Sequence, residues 1–301
     1  MKESRTYTTA AAFRRALEAR LQEIAKSEGV DLQRLRRQVA FDRFLARLFR
    51  EGQHRPLPWI LKGGYAMELR IKSARTTKDI DLTLRGGGLG RTSGNQENRV
   101  LLESLQEASA VDIGDFFSYR VGEPISDLEA APYGGARFPI EGRVDGRKFV
   151  GFHLDIGIGD VVMEPLEAIE GRNWLQFAGI ASPSLYMIPR EQQFAEKLHA
   201  YTLPRRGGVN SRVRDLVDML LLIRSGTMAN EKVAEAIHVT FDRRKTHALP
   251  KVLSQPPADW QTPYSALAKE CGLSGGVNDA FAILSIYLSE GGILEMKPSK
   301  P

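Results

Sequence analysis

Apolar residues Phe13, Leu17, Leu21 and Ile24 recur at helical spacing behind Thr8 and Thr9 and ahead of Gly29. That period, with candidate caps at both ends, predicts an amphipathic helix. Asp31 then precedes Leu35, Val39, Phe44, Leu45 and Leu48, which predict a second helix ending near Gly52; its other face carries Arg34, Arg37, Arg43, Arg47 and Arg50. From Trp59 the period changes. Trp59-Ile-Leu-Lys62 is a short apolar run closed by Gly63 and Gly64, residues 65–72 leave room for one brief helix, and Asp79-Ile-Asp-Leu-Thr-Leu84 alternates as a strand does. The glycine-rich stretch Arg85 to Asn98 predicts a mobile surface loop, and a helix follows at about 97–109. Asp145-Gly146, between the strand patterns 136–144 and 147–158, is a strong hairpin signal. Leu185 to Ile188 reads as a further strand, and helices are predicted at about 190–203, 211–224, 229–240 and 277–290. The expected fold is α+β, with a small mixed or antiparallel sheet flanked by helices. A basic helical segment at 1–56 and a helical region at 189–301 would bracket a core at 57–188.

Composition narrows the chemistry. The 301 residues are 42% hydrophobic and 26% charged, ordinary values for a globular chain, and no long apolar run suggests a membrane span. A soluble, cytoplasmic protein is expected. With Cys271 as the one cysteine there is no internal disulfide and no CxxC site, so an ion would be held by oxygen or imidazole ligands. Residues 1–55 hold 13 Lys+Arg against 7 Asp+Glu, a surplus that exceeds the chain's net charge of +5 and leaves the rest near neutral. Such a surplus suits a phosphate-rich partner, and a solvated helix face would produce the same count.

The most informative pattern is Lys62-Gly63-Gly64 followed, after fourteen residues, by Asp79-Ile80-Asp81. Alternate residues of a strand share a face, so the two carboxylates project together with Cα atoms about 6.6 Å apart. They repel one another unless a cation lies between them, and Mg²⁺ takes one or two carboxylates while keeping waters and substrate phosphates. The glycines allow close backbone approach to a phosphate ahead of a helix N-terminus. Asp155 stands opposite the apolar face Val150, Phe152, Leu154, Ile156 and Ile158, together with His153, and makes a third strand carboxylate. The competing reading is a solvated edge strand beside an ordinary turn.

Further along, Lys197 has no acidic neighbour at i±3 or i±4 and needs an anion from elsewhere, unless its ammonium is simply solvated. Asp215 and Asp218 share a helix face, where Arg212 and Arg214 can reach them or where one of them can position Lys197 or Arg212 at phosphates. Arg85-Gly-Gly-Gly-Leu-Gly-Arg-Thr fails as a Walker A loop, there is no HExxH or GxSxG, and the five histidines are too scattered for a zinc site.

Taken together, the Lys-Gly-Gly turn, Arg75-Thr-Thr-Lys-Asp-Ile-Asp-Leu82, Glu196-Lys197-Leu198 and Arg212-Val-Arg-Asp-Leu-Val-Asp218 resemble the AbiEii/MenT nucleotidyltransferase toxins of bacterial toxin–antitoxin and phage-defence systems. The resemblance spans about residues 57–224. It implies a polymerase-β-like nucleotidyltransferase core that uses Mg²⁺ (or Mn²⁺) and an NTP to place NMP on the 3′ end of tRNA, with a cognate antitoxin and no membrane. Asp79 and Asp81 would bind metal, with Asp155 a weaker third candidate that helps to activate the hydroxyl. Lys62, Gly63 and Gly64 would face the triphosphate, Lys197 and Arg212 would contact phosphate, and Asp215 would belong to the last essential motif. The family usually has Lys where Arg214 stands and often a smaller residue at Tyr65. Transfer to a protein or small molecule, and a nucleotide-binding module without turnover, are the alternatives.

Overall fold

A computed structural model describes residues 7–50, 59–85, 94–128, 131–204, 212–290 and 292–294. Most of the glycine-rich stretch, at 86–93, together with Gly52 and His54, lies outside the described residues; the second helix, expected to end near Gly52, ends at Leu48. The chain forms two compact units: 1–69 with 76–159 and 167–187, and 70–75 with 160–166 and 188–301.

In the first unit, α1 (Ala10–Glu28) starts at Thr9, whose side chain accepts the Ala12 N–H, and stops at Gly29, whose φ of 65° closes the helix in the left-handed region. α2 (Leu32–Leu48) starts at Asp31, which accepts the Arg34 N–H at 2.7 Å. All three caps are among those the sequence offers. β1 (Trp59–Lys62), α3 (Gly63–Arg70) and β2 (Asp79–Leu84) follow, then α4 (Gly94–Ala110), β3 (Phe117–Val121), β4 (Ser126–Asp127), β5 (Gly135–Val144), β6 (Arg147–Gly157), β7 (Glu167–Glu170) and β8 (Ser184–Met187). Asp145 and Gly146 turn β5 into β6 with φ of 55° and 66°, the left-handed pair that a two-residue hairpin requires.

The strands form one mixed sheet ordered β3-β5-β6-β2-β1-β8-β7, with β4 also on β5. β2 runs parallel to β6 and β1 parallel to β8; the other pairs are antiparallel. One face, bearing Ile80, Leu82, Phe138, Leu154 and Ile156, is fully buried in a core shared with α1, α2 and α4. The sheet is larger than expected because the pattern does not announce β3, β4 and β7. β3 does alternate Phe117, Tyr119, Val121, but over only five residues, and β7 is a short edge strand of four residues, two of them glutamates and none fully buried.

The arginine face of α2 departs most from the sequence expectation. Arg47 and Arg43 are buried, at 2% and 5% exposure, and both bond to Asp115, which is fully buried just ahead of β3. Arg34 bonds to Glu68 and Arg36 to Glu18, while Arg37 lies 3.9 Å from Asp31. Each of the α2 arginines therefore has a carboxylate beside it within the unit, and the expected solvated, RNA-facing row on α2 is not the arrangement found. Burial would favour neutral Asp115, but the two guanidinium groups outweigh it and hold its pKa below the usual carboxylate value.

The second unit is helical: α5 (Arg190–Thr202), α6 (Val213–Arg224), α7 (Asn230–Arg244), α8 (Gln261–Glu270) and α9 (Val277–Glu290). α5 packs on α6 and α7, and α6 packs on α8 and α9. α8 was not predicted, since it is short and carries Pro263 near its start. Two of the scattered histidines do meet here. The His199 and His247 rings are 4.7 Å apart, but His199 bonds Thr246 at 2.9 Å and Arg244 at 3.5 Å, and His247 bonds Thr202 at 2.8 Å, so both serve the packing.

Burial, Arg244 and His247 hold the His199 pKa down to about 3, against 6.5 in the unfolded chain. A depressed imidazole contributes stability that is complete above the unfolded pKa and is lost as pH falls toward the folded one. Unfolding of the second unit should therefore become easier by about 2 to 3 kcal/mol between about pH 6.5 and 4.5. Urea unfolding of His199→Gln beside the native chain checks this; parallel pH slopes would sink the assignment. Asp42, buried in the first unit with its pKa raised by burial to about 6, acts with the opposite sign and cancels in that comparison.

Candidate active site

The polar face of the sheet carries the predicted carboxylates. Register places Arg137 on β5 opposite Asp155 on β6, Asp155 opposite Asp81 on β2, and Asp81 opposite Lys62 on β1, so a single row crosses four strands. One step along, Asp79 lies opposite His153, whose Nδ1 is 3.2 Å from Asp79 Oδ1. Asp79, Asp81 and Asp155 are all partly exposed.

The glycine pair fits closely over this row. A Cβ at Gly63 would lie 2.0 Å from Asp81 Oδ2, and the residue's φ is +65°; a Cβ at Gly64 would lie 2.6 Å from Thr77 Oγ1. Both positions need glycine because the start of α3 passes directly over β2, and the Gly64 N–H points toward Asp81 Oδ2 at 3.4 Å. Glu68, one turn into α3, accepts from Thr77 N–H and from Gln38, each at 2.5 Å, and so ties α2, α3 and the approach to β2 together. Tyr65 is buried and donates to Asp42 at 2.6 Å. Its bulk sits in the packing against α2, which accounts for a large residue at a position usually smaller in the family that the sequence resembles.

Asp155 is differently placed. Arg137 Nε and Nη2 each donate to one of its oxygens at 2.7 Å, and Arg137 Nη2 is 3.9 Å from Asp79 Oδ2. The sequence reading missed Arg137, although it stands within the hairpin strand opposite Asp155. Among the described residues, no group of three or more His, Cys, Asp and Glu is placed to hold a metal ion. The donor set still fits a hard cation: Asp79 and Asp81 share a face and the Gly63–Gly64 backbone closes over Asp81, which matches an ion taking two carboxylates and completing its shell with water and phosphate.

A groove of about 760 Å³ opens beside Asp79 and His153, between α2 and strands β3, β5 and β6. Five cations line it, Arg37, Lys78, Arg120, Arg137 and Lys148, against the carboxylates of Asp79 and Glu141. Of the α2 arginines expected to meet a phosphate-rich partner, Arg37 alone is in this lining.

The second constellation belongs to the helical unit. Lys197 on α5 finds the anion that its i±3 and i±4 neighbours lack: Nζ is 2.9 Å from Asp218 and 3.1 Å from Asp215, both on α6. Arg75 Nε and Nη2 bond both oxygens of Asp218, and Arg212 Nη1 is 3.7 Å from Asp215. Arg214, expected to reach Asp218, is exposed instead, because Asp218 turns into the unit with no exposed surface. Burial disfavours the Lys197 ammonium, but Asp218 and Asp215 outweigh it and hold its pKa above the ordinary lysine value. One oxygen, Asp215 Oδ2, is buried without a hydrogen-bond partner.

The family model described as "Nucleotidyl transferase AbiEii toxin, Type IV TA system" matches residues 43–275. The chain belongs to the AbiEii nucleotidyltransferase toxin family. As an AbiEii-family member it is a nucleotidyltransferase whose system includes an antitoxin and whose substrate is an NTP. The fold agrees: MenT4, a nucleotidyltransferase toxin from Mycobacterium tuberculosis H37Rv, aligns over 94% of this chain and 99% of its own with a TM-score of 0.54, at 18% identity. The antibiotic-resistance factor ANT(2″)-Ia aligns over 68% of this chain and 94% of its own with a TM-score of 0.37, at 15% identity. No curated protein sequence matches significantly. Among the described residues, no helix of this AbiEii-family chain is long and apolar enough to cross a membrane.

Proposed function

We propose that this chain transfers NMP from an NTP to the 3′ end of tRNA with release of pyrophosphate, using Mg²⁺ (or Mn²⁺), and so blocks translation as the toxin of a phage-defence system. The groove carries this reading: five basic side chains flank a strand face that reaches Asp79. A surface of that kind favours a phosphate backbone through counterion release, and a strand end held there is brought to the carboxylate row. A small acceptor would have no use for cations along such a length of groove.

In this reading Asp79 and Asp81 hold the cation, which when bound offsets charge on the triphosphate and the departing pyrophosphate. Lys62 and the Gly63–Gly64 backbone face the triphosphate, and Asp155 takes part in activating the acceptor hydroxyl. Lys197 and Arg212 contact phosphate, with Asp215 positioning the lysine. Lys197→Ala is then expected to lower transfer by on the order of 10² to 10³, with Lys197→Arg recovering part of it because a planar fork does not reproduce a compact ammonium. Unfolding measured beside activity separates the two roles of this lysine. A folded Lys197→Ala chain with a normal rate would leave it as a counter-ion to Asp215 and Asp218 only.

Incubation of the full chain with labelled NTPs, Mg²⁺ and total tRNA is the test. Label in RNA is the expected result; label on protein or a small molecule, or bound and intact NTP, overturns the reading. The exposed cations give a second measurement. Arg120→Gln with Lys148→Gln should weaken tRNA binding and reduce the salt slope by about 0.7 to 0.9 for each phosphate no longer neutralised, with NTP binding unchanged. An unaltered slope would remove the groove from the tRNA path.

A further inference from the structure

The geometry around Arg137 points to a residue that controls how tightly the site takes its cation. Strand register sets Asp81 directly beside Asp155, with Asp79 one step away, and three carboxylates so close would repel strongly if all were ionised and alone. Arg137 supplies the charge that relieves this. Its guanidinium spans both oxygens of Asp155 at 2.7 Å, approaches Asp79 at 3.9 Å, and remains 35% exposed along the groove.

A divalent ion at Asp79 and Asp81 would stand beside that guanidinium, so the two cations disfavour each other. The Arg137 fork suits a phosphate as well as a carboxylate, and its exposed edge faces the basic groove. We propose that Arg137 is an exchangeable counter-ion: it occupies Asp155 while the site lacks a divalent cation, and it leaves for a phosphate in the groove when cation and acceptor are bound, freeing Asp155. The consequence is coupling. Arg137 weakens binding of the ion alone, and a phosphate that draws Arg137 off Asp155 strengthens binding of the ion by the same factor as the ion strengthens binding of that phosphate. The inference rests on the reading of Asp79 and Asp81 as cation ligands, and the test keeps the two apart.

The probe is Mn²⁺ alone, titrated into the full chain with free Mn²⁺ followed by electron paramagnetic resonance, without NTP or RNA. Arg137→Gln should bind Mn²⁺ more tightly, on the order of tenfold, because one positive charge beside the site is removed. Arg137→Lys, which keeps the charge, should stay close to the native affinity, and Asp81→Asn should lose the site. A purely structural role predicts the opposite direction, since loosening β5 against β6 would disorder the row and weaken binding. Equal or weaker Mn²⁺ affinity in Arg137→Gln, with the site lost in Asp81→Asn, overturns the counter-ion role and leaves the cation site standing. Native affinity in Asp81→Asn overturns the cation site and the inference with it. Arg137→Met, which keeps the length of the side chain, supplies the same comparison if Arg137→Gln does not fold.

Discussion

Asp81→Asn is expected to lower nucleotidyl transfer by at least about 10³, the upper range for loss of a preorganised electrostatic group, while the chain stays folded. Asn keeps the shape that fits beneath Gly63 and can still accept the Gly64 N–H, so the packing of α3 over β2 has what it needs. It removes the charge. Asp81 is the middle of the row, flanked in register by Asp155 and Lys62, and loss of its carboxylate takes away one of two oxygen ligands that share a strand face. Asp79→Asn should have a comparable effect, with a changed contact to His153 as well. Incorporation of labelled NMP, measured beside thermal unfolding of each variant, checks this. A folded Asp81→Asn chain that transfers at the native rate would end the reading of the carboxylate pair as a cation site.

The carboxylate pair was legible because it depends on local rules only. A strand of alternating residues puts Asp79 and Asp81 on one face whatever surrounds it, just as Thr9, Asp31 and Gly29 cap helices without help from distant residues. Asp145-Gly146 marks its hairpin for the same reason. What escaped the sequence were partners chosen by the sheet and by helix packing. Arg137 meets Asp155 through β5–β6 pairing, which follows from the hairpin once both side chains are assigned to one face. Lys197 was readable as a lysine in need of an anion, and Asp215 with Asp218 as a pair in need of a cation; that they answer one another is decided by α5 packing on α6. Arg75 completes that cluster from a segment with no periodicity to flag it.

Period alone also cannot tell a solvated arginine from a buried one, and α2 is the case in point. Arg47→Gln is expected to destabilise the first unit by about 3 to 5 kcal/mol, the cost of leaving a buried charge with part of its partnership removed. Arg47 donates to both oxygens of Asp115 at 2.8 and 2.9 Å, to the Phe117 carbonyl at 2.7 Å and to the Arg43 carbonyl at 2.8 Å, and its guanidinium lies 5.1 Å from the centre of the Tyr119 ring. Gln cannot replace those bonds, so Asp115, with no exposed surface, would depend on Arg43. Because the arginines lower the Asp115 pKa, their contribution is present above the unfolded carboxylate pKa of 3.8 and fades as pH falls through the folded value. The Arg47→Gln penalty should therefore be full at neutral pH and shrink in acid. Arg37→Gln, by contrast, removes a side chain that is 17% exposed and whose nearest carboxylate, 3.9 Å away on an exposed aspartate, is a loose partner, so loss of that pair should change stability by less than about 0.5 kcal/mol. Urea unfolding of the two variants decides the matter: a loss below about 1 kcal/mol for Arg47→Gln would mean that Asp115 is solvated in solution and would return the α2 arginines to the surface. If the difference stands, a variant neutralising Arg34, Arg37, Arg43 and Arg47 together would lose activity through unfolding, and Arg120, Lys148 and Arg37 are the cations on which the proposed binding of tRNA can be tested cleanly.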